Sequence, residues 1–127
     1  MTKEDKGDHS GALADYNRAI ELDPRNTPVY YDRGAIEFRA NNFEAAITDF
    51  ARATELDPTF ADAYNGLGGS KINIGDFVGA LSDLNKAIEL SPKNARAYSN
   101  RANVRKKLGD ADGAKADQAM ADKLTKK

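Results

Sequence analysis

The chain has no cysteine and no tryptophan, and only one histidine and four prolines among its 127 residues. Without cysteine there is no disulfide, no thiol nucleophile and no cysteine-ligated zinc. The single histidine, His9, leaves little material for acid–base catalysis or metal binding. No apolar run approaches the roughly 20 residues that a membrane-spanning helix needs, so no membrane insertion is expected. Met1-Thr2-Lys3-Glu4-Asp5-Lys6 leads into polar sequence with no apolar stretch, which predicts no secretory leader and a cytoplasmic location. With 40 % hydrophobic and 31 % charged residues the composition is that of a folded domain, and the length fits a single one over residues 1–127.

What the chain does have is a period. Ala19-Ile20-Glu21-Leu22-Asp23-Pro24 returns as Ala53-Thr54-Glu55-Leu56-Asp57-Pro58 and as Ala87-Ile88-Glu89-Leu90-Ser91-Pro92, with the prolines 34 residues apart. A fixed period of this size marks an array in which each unit buries its apolar face on its neighbours. It divides the chain into a partial unit, 1–26, and three fuller ones, 27–60, 61–94 and 95–127. Each full unit reads as two helices. The first begins near a proline-containing turn, with Thr27 expected to cap and Pro28 to open the helix. The second begins after a break at Asn41-Asn42, Gly75-Asp76 or Gly109-Asp110, and is predicted over Phe43–Asp57, Phe77–Leu90 and Ala111–Thr125. No stretch alternates like a strand.

Side-chain sizes repeat as well. An early aromatic (Tyr30, Tyr64, Tyr98) is followed four residues later by a small residue (Gly34, Gly68, Ala102), then by alanines at 46, 80 and 114 and at 53, 87 and 121. Bulky residues facing small ones let antiparallel helices approach closely without voids. In this signature the chain resembles the tetratricopeptide repeat family over essentially its whole length, which implies an all-α, right-handed α-solenoid of antiparallel helix pairs. It departs from the family pattern at Glu37, Lys71 and Arg105, where a tyrosine is usual. It departs again at Arg33 and Arg101, where a leucine is usual and Leu67 keeps it. Each second helix carries an aspartate at one phase (Asp15, Asp49, Asp83, Asp117), so Arg33 and Arg101 are expected to pair with an aspartate on an adjacent helix.

The two ends read differently. In the last helix Gln118, Asp122 and Lys126 replace the apolar residues and proline of earlier units, giving the polar outer face that a terminal cap needs. At the other end Leu13, Tyr16 and Ile20 lie on a helix whose partner is reduced to Met1–Lys6, too short to cover them. The reading preferred for that bare face is a longer array; the second is a homo-oligomer through the N-terminal helix.

Gly66-Leu67-Gly68-Gly69-Ser70-Lys71 invites comparison with a phosphate-binding loop, but these glycines fall inside a predicted helix rather than between a strand and a helix. Gly68 is read as the helix-contact glycine, and Gly66 and Gly69 as leaving room on an exposed face. At roughly 1 kcal/mol per glycine this should be the least stable helix. His9 stands at the phase of Phe43 and Phe77, with no residue at catalytic or metal-ligand spacing. An enzyme is not expected, nor a metal or other cofactor. Arg96, Arg101, Arg105, Lys106 and Lys107 do not form one stripe at helical spacing, and the pI near 5.8 also argues against nucleic acid. The net charge of −1 conceals a polarity: residues 1–94 carry 10 Lys/Arg against 16 Asp/Glu, and residues 95–127 carry 9 against 4.

The resemblance implies a function, the binding of an extended protein or peptide segment in a concave groove lined by the first helix of each unit. Carried over, the groove positions are Tyr31, Asp32, Ala35, Phe38 and Arg39; then Asp62, Asn65, Gly69, Ile72 and Asn73; then Arg96, Asn100, Asn103, Lys106 and Lys107. Tyr31 and Phe38 suit an apolar side chain. Asn65, Asn73, Asn100 and Asn103 suit a peptide backbone. Arg39, Arg96 and Lys107 give the groove cations, and Arg96 and Lys107 favour acidic side chains or a terminal carboxylate. The carboxylate clamp with which one subset of the family grips heat-shock chaperone tails would fall on Tyr31, Ala35, Gly66, Arg96 and Asn100. Only Arg96 keeps the charge, so a chaperone-tail adaptor is not expected. The rival function is a self-assembling scaffold built through the bare N-terminal helix.

Overall fold

The computed structural model describes the backbone over residues 3–126 and side chains from residue 10 onward. Among the described residues there are seven helices and no strand: α1 Lys3–Leu22, α2 Thr27–Arg39, α3 Phe43–Leu56, α4 Ala61–Asn73, α5 Phe77–Leu90, α6 Ala95–Lys107 and α7 Ala111–Thr125. Each helix packs on the next in sequence, and α4 also touches α2 and α6. The molecule is an all-α tetratricopeptide-type solenoid, with α2, α4 and α6 side by side along one wall.

The second helices begin where the sequence places them because the break before each is set by one backbone conformation. Asn41, Gly75 and Gly109 all adopt left-handed φ values of 65°, 84° and 87°, which glycine takes at no steric cost and asparagine tolerates. Asp76 and Asp110 then cap, accepting from the Gly79 and Gly113 amides at 3.0 and 2.9 Å. Asn42 stands at the same position before α3 and makes no side-chain cap bond. Thr27 is not the cap of α2: the Asn26 carbonyl already accepts from Val29 and Tyr30, so Thr27 lies inside the helix.

Bulky residues of the second helices pack into gaps left by glycine. The Phe50 ring is held between α2 and α4; a Cβ on Gly34 would come within 3.0 Å of it and one on Gly66 within 2.8 Å. Leu84 fits against Gly68 in the same way, at 2.6 Å. Gly66 is therefore a packing glycine, a correction to its expected place on an exposed face.

Arg33 donates from Nε and Nη2 to the two carboxylate oxygens of Asp49, and Arg101 does the same to Asp117. Each guanidinium also lies over the tyrosine three residues before it, Tyr30 at 5.7 Å and Tyr98 at 5.5 Å. In each case the remaining Nη1 reaches an asparagine on the preceding second helix, Asn17 or Asn85. In the middle unit Leu67 occupies the arginine's place, and Lys71 brings the cation to Asp83 instead, at 2.7 Å.

The N-terminal end departs from the sequence reading. Residues from Lys3 onward do not form a vestigial partner helix; they continue α1 as one helix through Gly7 and Asp8, although these match Gly75-Asp76 in phase. The side chain of His9 lies outside the described residues. At the other end Gln118 and Asp122 are exposed and bond to each other at 3.0 Å.

Candidate functional site

On the wall formed by α2, α4 and α6 a cavity of about 570 Å3 gathers most of the carried-over groove positions. Tyr31, Phe38 and Arg39 come from α2, Asn65 and Asn73 from α4, and Arg96, Asn100 and Asn103 from α6. Lys107 does not line it; it lies one helical turn beyond Asn103 and is exposed at the end of α6.

The α2 wall is built of packed rings. The Tyr31 ring stacks on Phe60 at 5.0 Å and tilts against Phe50 at 5.6 Å, and Phe38 meets Phe43 edge-on at 5.4 Å. Burial pushes the Tyr31 hydroxyl above its ordinary pKa, with Asp62 and Asp32 adding to the effect and Arg96 and Arg39 opposing it. Across the groove, Asn100 Nδ2 donates to Asn65 Oδ1 at 3.0 Å, joining α6 to α4. That bond leaves the Asn65 amide NH2 and the Asn100 carbonyl oxygen for another chain, one donor beside one acceptor. Asn73 is partly spent, since its NH2 donates to the Gly69 carbonyl at 2.8 Å. Among the described residues neither Arg39 nor Arg96 has a carboxylate at salt-bridge distance, unlike Arg33 and Arg101.

Phe50 backs this cavity beside Gly66 while staying buried, 3 % exposed. Sequence reading missed one part of the surface. A second cavity, of about 790 Å3, continues past Tyr31 and Arg96 along the α5–α6 turn to Gln118, Asp122 and Thr125 of α7. The polar face of the last helix is thus also one side of a trough. Among the described residues no group of three histidines, aspartates or glutamates is placed to hold a metal ion. No helix there is long and apolar enough to cross a membrane.

Comparison with known families agrees with this architecture. A tetratricopeptide repeat model matches residues 4–65, and a second TPR repeat model matches residues 73–109. The chain belongs to the tetratricopeptide repeat family, whose members are in general protein-interaction modules. No curated protein matches it in sequence. Among solved structures it is similar to a MamA protein at 28 % identity and a TM-score of 0.88, covering 96 % of this chain and 67 % of that one. A MamA from Desulfovibrio magneticus RS-1 matches at 19 % identity and a TM-score of 0.85, covering 93 % of this chain and 67 % of that one. The first TPR domain of Spaghetti (RPAP3), bound to the HSP90 peptide SRMEEVD, matches at 24 % identity and a TM-score of 0.77, covering 81 % and 82 %. The chain thus spans about two thirds of the length of these two MamA chains.

Proposed function

We propose that the chain is a non-enzymatic interaction module that holds an extended segment of a partner protein along α2, α4 and α6, the segment being acidic or mixed apolar and acidic. The observation that carries this reading is the meeting, in one cavity, of the Tyr31 and Phe38 rings, the Asn65–Asn100 amide pair and two arginines without carboxylate partners. The rings offer apolar area at little rotamer cost, the amides grip backbone, and Arg39 and Arg96 favour a carboxylate. A fold relative that holds a peptide with two glutamates and one aspartate is consistent with it. The test is binding of fluorescent peptides in paired acidic and basic versions. The acidic versions should bind, and Tyr31→Ala with Asn65→Ala should abolish binding without changing the mass of the protein. Equal binding by wild type and the double variant would remove the groove from consideration.

One observation favours a second reading, self-assembly through α1. Asp49, Phe50 and Ala53 are almost wholly buried, whereas their phase-mates Asp15, Tyr16 and Ala19 are exposed or half-buried. That face fits a further helix, supplied here by another copy. Light scattering across a dilution series tests it: mass should rise with concentration and Tyr16→Glu should hold the protein monomeric, while a constant mass excludes assembly.

A further inference from the structure

The glycines of α4 are not equivalent. A Cβ on Gly66 would strike the Phe50 ring, and one on Gly68 would strike Leu84, so both are required by packing. Gly69 is different. A Cβ there would meet only the Phe38 ring at 3.5 and 3.8 Å and Asn100 Nδ2 at 4.0 Å, which is ordinary contact. Glycine inside a helix costs stability relative to alanine, and at Gly69 no neighbour in the fold demands it. The space it leaves opens into the groove. Of the cavity's apolar lining, Phe38 stands beside Gly69 and Ile72 lies three residues further along α4. The Gly69 carbonyl accepts from the Asn73 side chain at 2.8 Å.

From this we infer that Gly69 floors an apolar subsite that receives one leucine- to phenylalanine-sized side chain of the bound segment, with a carboxylate within two residues of it. The inference rests on the proposed groove function and deepens it. The Asn65–Asn100 pair beside the subsite holds the adjoining peptide group through one donor and one acceptor. Charge favours the acidic neighbour, because the cavity lining contributes Arg39 and Arg96 against Asp62 alone. A side chain entering at Gly69 lies one helical turn from the amide pair, so an extended backbone can satisfy both at once.

The experiment uses blocked, fluorescein-labelled heptapeptides Gly-Asp-Gly-X-Gly-Glu-Gly with X as alanine, leucine or phenylalanine, read by anisotropy. Wild type should bind the leucine and phenylalanine peptides about tenfold or more tighter than the alanine peptide. Gly69→Leu, which fills the subsite, should abolish that discrimination while leaving the weak affinity for X as alanine. Gly69→Ala should reduce it while raising the melting temperature, which separates a filled subsite from a damaged fold. Arg39→Ala with Arg96→Ala should weaken all three peptides alike. If the peptides bind but Gly69→Leu keeps full discrimination, the subsite is wrong and the groove reading survives. If wild type binds none of them, both fall.

Discussion

Arg33 and Asp49, sixteen residues apart on neighbouring antiparallel helices, meet through two parallel hydrogen bonds of 2.7 and 2.6 Å. Asp49 is 3 % exposed, and its arginine keeps that charge tolerable in the interior. Asp117 is equally buried but has two cations, because Arg105 Nη1 also reaches it at 2.9 Å.

Loss of Arg33 should therefore cost more than loss of Arg101. Arg33→Ala leaves a buried carboxylate with no cation, a change of about 3–5 kcal/mol. Arg101→Ala leaves Arg105 in place and should cost less. Urea unfolding of the two variants decides it, and an equal or reversed order would contradict the geometry.

Glu37 lies beside the same pair, 3.5 Å from Arg33 Nε, with one carboxylate oxygen buried and unbonded. Burial first, and then Asp49, push its pKa from 4.5 up to about 8, against the opposing pull of Arg33. The folded state thus binds the proton more tightly than the unfolded one, so this residue's contribution is fully present below about pH 4.5. It is lost as pH rises towards about 8. Melting temperatures of wild type and Glu37→Gln across this range should diverge upward, the variant lacking the decline. Parallel curves would show that Glu37 titrates normally.

Alanine substitutions along α4 should separate by sign. Gly69→Ala should stabilise by roughly 0.5–1 kcal/mol, because only helix propensity changes. Gly66→Ala and Gly68→Ala should destabilise by about 1–3 kcal/mol through overpacking against Phe50 and Leu84. Thermal unfolding monitored by circular dichroism reads all three.

The caps should follow the bonds observed rather than the residue types. Asp76→Ala and Asp110→Ala each lose a bond to a helix amide, worth about 1 kcal/mol. Asn42→Ala removes no such bond and should cost less. Chemical denaturation of the three variants is sufficient to rank them.

Much of this architecture was legible in the sequence, for reasons that individual residues show. The recurring Asp-Pro and Ser-Pro turns fix the period, and arginine and aspartate at constant phases announce the ion pairs before any geometry is known. What stayed hidden depends on contacts between units. That Gly66 serves Phe50 of the preceding hairpin, while Gly69 serves nothing in the fold, is set by how α3 packs on α4. The rescue of Asp83 by Lys71 is likewise invisible in a column-by-column comparison, since the cation moves one turn along its helix. The course of α1 through Gly7-Asp8 shows that a glycine–aspartate pair like the one between α4 and α5 can also be carried within a helix.

The position of Phe50 has a mechanical consequence. One ring, wedged between the backbones of α2 and α4, spaces the first two hairpins while staying 3 % exposed. Trimming that ring would let the two hairpins close on each other and alter the pitch of the coil, so Phe50→Ala should register as a changed radius of gyration in X-ray scattering.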